Sequence, residues 1–173
     1  MPKSAPGQGA VFSVTLPIFS LSNLIAPALT RDGQAKSSIT LVVTEIGSRI
    51  GWLSEEVRAE ISHPVRDLLQ RCLYSDLDVL LPKISFAGAA ELFFIVAITD
   101  GIGGEAITKR IRKQLDSCEQ IKPASLILST SYQSLEPIER KASEPMEDFL
   151  EKVATNIQEC INEEISSRMV KNG

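Results

Sequence analysis

The sequence is poor in the residues that carry most side-chain chemistry. It has three cysteines (Cys72, Cys118 and Cys160) and a single histidine, His63. No CxxC pair exists, so a zinc site is not expected, and three widely separated cysteines make no disulfide framework. They read as reduced, mostly buried small side chains of a cytosolic protein. There is no apolar run of membrane-spanning length, so no membrane span is expected. An excess of positive charge is also missing. The net charge of −4 and the pI near 5.1 argue against a nucleic-acid-binding surface. The one basic cluster, Lys109-Arg110-Ile111-Arg112-Lys113, reads as a solvated helix face. The start, Met1-Pro2-Lys3-Ser4-Ala5-Pro6-Gly7, lacks the apolar core of a signal peptide, and a cytoplasmic location is expected.

What remains is an ordinary globular composition, 43% hydrophobic and 23% charged. The chain's 173 residues suffice for one well-buried domain and a short appendage. Its centre of gravity is an unbroken apolar run, Leu92-Phe93-Phe94-Ile95-Val96-Ala97-Ile98, which suits a strand covered on both faces. A tight turn over residues 87–90 feeds it. The apolar segment 79–85 reads as its hairpin partner, with Pro82 marking an edge or a bulge.

Around that hairpin the elements alternate. Residues 39–46 are β-branched and predict a strand ended by Gly47. Ser54 opens a helix whose apolar residues repeat from Val57 to Leu73, with a kink or break expected at Pro64 near His63. Residues 100–104 read as a glycine-rich loop. A phosphate-loop reading fails there because the Gly-Lys-Ser/Thr ending is missing. A helix over 105–120, a strand over 124–132 and a polar loop over 133–144 follow. Pro145 then opens an amphipathic helix over 145–165, with fraying from Ser166. Residues 19–38 read as a loosely docked connector. The resulting order predicts an α+β fold: a ferredoxin-like β-α-β-β-α-β antiparallel sheet with helices packed on one face.

Two local resemblances bear on function. Gly7-Gln8-Gly9-Ala10-Val11-Phe12-Ser13-Val14-Thr15-Leu16-Pro17 resembles the last strand of histidine-kinase ATPase domains. The rest of such a domain is missing, so the resemblance implies a piece from the C-terminal end of a sensor kinase (residues 1–18), unable to phosphorylate. The other reading is an ordinary edge strand of the main domain. Residues 39–132 resemble the GGDEF, or diguanylate cyclase, family, and residues 39–173 are taken as that domain. Ser62-His63-Pro64-Val65-Arg66-Asp67 stands where the family has Gly-His-x-x-Gly-Asp, and Gly88-Ala89-Ala90-Glu91-Leu92 stands for Gly-Gly-Asp-Glu-Phe. Thr99-Asp100, Arg110-Ile111-Arg112 and Leu128-Ser129-Thr130-Ser131-Tyr132 match later family segments in order.

The departures from the family decide the expected chemistry. Cyclising two GTP molecules requires divalent metal held by carboxylates. The resemblance places Glu45 at the first-strand metal position, but Ala90 replaces the acid at the tip and offers a hard cation no ligand. Ala89 replaces a glycine that admits phosphate. Guanine reading would use Arg58, where the family has Asn, and Asp67. The family's inhibitory Arg-x-x-Asp site falls on Val79 and Pro82, or on Ser75 and Asp78 in a shifted register. Gly88 and Glu91 are then vestigial. Read without the family, Glu91 is an exposed turn carboxylate, Asp67 a surface helix residue and His63 structural.

The expectation is an inactive GGDEF-like regulatory module of a bacterial sensor histidine kinase, partnered by kinase domains in cis or by another copy of itself. The alternative is a receptor for GTP or cyclic di-GMP without turnover, and the last is an active cyclase. No cofactor is expected, and Mg²⁺ only if a guanine nucleotide binds. The reading of residues 1–18 generates one test. Amides from Val11 to Leu16 are expected to exchange fast with deuterium, as in a kinase strand without its sheet. Slow exchange there would make the segment an integral strand.

Overall fold

A computed structural model describes residues 20–30, 36, 38–48, 54–82, 85–87, 90–121 and 126–171. The kinase-like segment, and Gly88 and Ala89 at the hairpin tip, lie outside the described residues. The elements are α1 (Leu21–Leu29), β1 (Thr40–Ser48), α2 (Glu55–Cys72), β2 (Asp78–Leu80), β3 (Ser85–Ala87), β4 (Ala90–Ala97), α3 (Gly101–Ser117), a 3-10 turn (Glu119–Ile121), β5 (Leu126–Ser134) and α4 (Met146–Lys171). The fold class is α+β with an antiparallel sheet. Among the described residues, no helix is long and apolar enough to cross a membrane.

All eight residues of β4 are buried, as the apolar run requires. β4 pairs with β1 in the register Thr40↔Ala97 to Ile46↔Glu91, and β1 pairs with β5 in the register Thr40↔Ser134 to Ser48↔Leu126. The hairpin partner is split. β2 pairs Leu80 with Ile95, and β3 pairs Ser85 with Leu92. Five residue steps on that side therefore oppose three on β4, so the register changes between the two pieces, and Pro82 stands after β2, outside the paired residues.

Helices pack on both faces, which corrects the expected one-sided arrangement. Val42, Ile46, Phe93, Ile95 and Ala97 face α2 and α3, through Ile61, Val65, Leu69, Ile107, Ile111 and Leu115. Leu41, Val43, Leu92, Phe94 and Val96 face α1 and α4, through Ile25, Leu29, Phe149, Val153, Ile157 and Ile161. The reason is two-sided apolarity. With Phe93 and Phe94 pointing to opposite faces, one helical layer leaves the other ring in water, and covering it is worth ~1.5–3 kcal/mol.

Several boundaries differ for related reasons. The segment read as a connector holds α1, whose Ile25 and Leu29 are fully buried and whose Ser22 Oγ donates to Glu151 Oε1 of α4 at 2.5 Å. α2 is one helix through Pro64, because Ile61, Val65, Leu68, Leu69 and Cys72 are all held against the sheet. α4 continues past Ser166 to Lys171, since Arg168 ion-pairs with Glu45 of β1 and with Glu164. The apolar stripe of α4 is spent on this core: Phe149, Val153, Ile157 and Ile161 have no exposed surface.

The glycine-rich stretch is the first turn of α3 rather than a loop. Asp100 caps it, accepting from Gly103 N at 3.0 Å. A Cβ on Gly103 would lie 1.8 Å from Thr99 Oγ1, and one on Gly104 would lie 2.4 Å from Thr40 Cγ2. These glycines let the helix start close against its own preceding loop and against β1. Gly104→Ala is therefore expected to destabilise the fold by about 1–3 kcal/mol. Thr40→Ser removes the clashing methyl but keeps the hydroxyl that donates to Thr99 O at 3.0 Å. Urea melts of both single variants and the double variant check this. Purely additive losses would mean that the Thr40 methyl does not limit the space.

Candidate functional site

The sequence nominates five residues around the hairpin: Glu45, Arg58, Asp67, Gly88 and Glu91. β-strand alternation decides which of them can meet. Glu45 shares the parity of Leu41 and Val43, so it points to the α4 side. Glu91 shares the parity of Phe93 and Ile95, so it points to the α2 side. The two carboxylates lie on opposite faces of the sheet, although Ile46 pairs directly with Glu91.

Each carboxylate is engaged on its own face. Glu45 is ion-paired with Arg168, a guanidinium only 14% exposed that also donates to Ser131 Oγ at 3.0 Å. Glu91 is 1% exposed and its Oε2 accepts from Ser62 Oγ of α2 at 2.6 Å. It is a buried tie between α2 and β4, not an exposed turn carboxylate. Ala90 is buried at 3% exposure, with the parity of Leu92, and so lies on the Glu45 face. An acid at that position would stand on the same face as Glu45, two residues from its partner Leu92.

Arg58 and Asp67 are nine residues apart in one continuous helix, about two and a half turns. That spacing puts them on opposite sides of α2. Arg58 is half-buried, whereas the Asp67 side chain is 61% exposed and lies 3.6 Å from His63 Nε2. Asp67 is thus a surface residue, as its residue-level reading has it, whereas His63, read as structural, has a side chain 82% exposed. Gly88 lies outside the described residues. Among the described residues, no group of three or more His, Cys, Asp or Glu side chains could hold a metal ion.

A different cleft was not legible as a unit. Tyr74, Asp78, Thr99, Gly103, Ile107 and Arg110 line a cavity of about 410 Å³ between the α2–β2 turn and the start of α3. Its volume is within the range of small-molecule sites. Asp78 is 6% exposed and accepts from Tyr74 N at 2.8 Å. Burial pushes its carboxyl above the usual range, opposed by the Tyr74 hydrogen bond and by the Arg110 charge. The Arg110 guanidinium lies 4.6 Å from the centre of the Tyr74 ring, which is itself 61% exposed. Arg110 Nε is buried and has no hydrogen-bond partner among the described residues. The sequence singled out Asp78 in the shifted Arg-x-x-Asp register, and Thr99 and Arg110 in separate segments, with nothing that joins the three. The arginine beside it comes from α3, not from Ser75.

Two of the thiols are held in their protonated form by their surroundings. Burial raises the Cys72 thiol above its ordinary range, and burial followed by Glu163, Glu159 and Glu164 raises that of Cys160. Compared with protein-family models, curated proteins and solved structures, the chain matches none.

The Asp78 environment generates a pH test. A buried carboxyl with a raised pKa binds its proton more tightly folded than unfolded. Stability therefore falls as pH rises from the ordinary carboxylate value through the raised one. Asp78→Asn keeps an oxygen acceptor for Tyr74 N–H and carries no charge. The variant is expected to lack that slope and to be the more stable above the window, read from urea melts between about pH 4 and pH 7. Lower stability at the neutral end would mean that attraction to Arg110 outweighs burial.

Proposed function

We propose that this chain is a catalytically silent GGDEF-like signalling module that regulates or positions a sensor histidine kinase through protein contacts. The spatial strand order β2-β4-β1-β5, with α2 and α3 together on one face, is what a ferredoxin-like β-α-β-β-α-β unit has, and it supports the finer fold reading. α1 and α4 are then additions that close the second face. The observation that carries the functional reading is Arg168 on Glu45. A metal-dependent cyclase needs a cation beside the first-strand carboxylate. Here a guanidinium from α4 already neutralises it, and the neighbouring tip position is Ala90. Kinase domains in cis or another copy of the chain are the partners this reading implies, in the cytoplasm and without a cofactor.

The Tyr74–Arg110 cleft favours a second reading, a receptor for GTP or cyclic di-GMP. A guanidinium stacked on an exposed aromatic ring, with a spare N–H and a buried carboxylate nearby, suits a base and phosphate. Thermal shift with each nucleotide separates the two readings. Saturation at 100 times the dissociation constant adds about 2.7 kcal/mol of stability. A shift abolished by Arg110→Ala would favour the receptor.

Incubation with GTP and Mg²⁺ or Mn²⁺, followed by chromatography, is expected to yield no cyclic di-GMP. Ala89→Gly with Ala90→Asp is expected to yield none either. Arg168 still holds Glu45, and Arg58 still stands where an amide would read guanine. Product from the wild type would end the silent-module reading. Product from the double variant alone would place the whole loss at the hairpin tip.

A further inference from the structure

β5 is the last strand of the sheet, and among the described residues nothing pairs with its outer side. The direction of its backbone groups follows from the ladder. Leu135 N donates to Ile39 O at 2.9 Å, so the odd-numbered residues of β5 bond β1. Leu128, Thr130 and Tyr132 therefore turn their N–H and C=O groups outward. Arg112 of α3 agrees with this, since its Nη2 donates to Thr130 O at 2.5 Å.

The edge has few of the usual protections. β5 reads Leu-Ile-Leu-Ser-Thr-Ser-Tyr-Gln-Ser, with no charge, proline or glycine, and its register with β1 runs without a bulge. Native edges are normally guarded by such features. The guard here is a basic flank. Arg112 covers the central carbonyl, and Lys109, 72% exposed and paired with Glu105 at 2.7 Å, lies three residues before that arginine on the same helix.

We propose that the outer edge of β5 docks an extended acidic peptide strand of a partner protein. A strand pairing at Thr130 brings its own N–H to that carbonyl and displaces Arg112. The released guanidinium then needs an anionic acceptor, which β5 does not carry and an acidic strand does. The same logic disfavours a second copy. Two β5 edges paired about Thr130 bring the released Arg112 of both copies together with no carboxylate on either strand to receive them. The basic cluster of α3 is thereby a reading surface rather than an idle solvated face.

The test uses the full chain and a fluorescein-labelled peptide, Thr-Glu-Val-Glu-Val-Glu-Thr. Its controls are the Lys-for-Glu peptide and the acidic peptide N-methylated at alternate backbone nitrogens. Anisotropy should show binding of the plain acidic peptide alone, with the Leu128, Thr130 and Tyr132 amides becoming slow to exchange. Arg112→Glu, and separately the milder Arg112→Ala, should weaken binding about tenfold, as for one charge-assisted hydrogen bond. Equal binding of the N-methylated peptide would reduce the effect to charge and overturn the proposal. So would no binding, or slow exchange of those amides in the chain alone, which would mean that a second copy or another part of the chain already fills the edge.

Discussion

Phe93 and Phe94 are adjacent, both almost without exposed surface, and turned to opposite faces of the sheet. The rest of the architecture follows from satisfying both. A strand apolar on each side cannot be an edge and cannot face water, so β4 takes an interior place with β1 on one side and the β2–β3 side on the other. Two helical layers are then required. α2 and α3 are the crossover helices that any β-α-β connection supplies on one face. The second face needs helices from outside that unit, and the flanking segments provide α1 and α4. Those same helices bring Arg168 to Glu45 and Glu151 to Ser22, so the polar ties of this face are consequences of covering Phe94.

Much of this was legible in the residues. The run from Leu92 to Ile98 stated two-sided burial, Pro82 marked the break in its partner, and Ser54 marked the start of α2. The expectation of a one-faced helical layer contradicted the first of these signals, because the fold pattern was weighed above the strand's own composition. α1 falls in the stretch read as connector, where Pro27 disfavours a helix on local grounds. Burial of Ile25 and Leu29 against α4 overrides that local preference. The start of α3 was placed late because glycines usually lower helix content. Here their missing side chains are what allows close approach to Thr40 and Thr99.

The site was less legible than the fold, and the cause is distance along the chain. Motif spacing identifies Glu45 and Glu91 but not their facing, which depends on a single residue of register. Arg168 lies 123 positions from Glu45, and Arg110 reaches Tyr74 from another helix. No local pattern announces either encounter. Arg58 and Asp67 had a spacing that matched the family, yet an unbroken helix sends them to opposite sides. A prolyl break at His63 would have changed that geometry, so the continuity of α2 bears directly on how the nucleotide-reading pair is judged.

The order in which the layers are encoded has a consequence for biosynthesis. β4 leaves the ribosome well before α4, and α4 supplies most of the cover for Leu92, Phe94 and Val96. β1, though made early, finds β5 only after some eighty further residues. The nascent chain must therefore carry an apolar, half-paired sheet until α4 emerges, which is the condition under which intermediates aggregate or recruit chaperones. Truncation within α4 would prolong that exposure indefinitely, so α4 is the step that closes the second face of the sheet in a newly made chain.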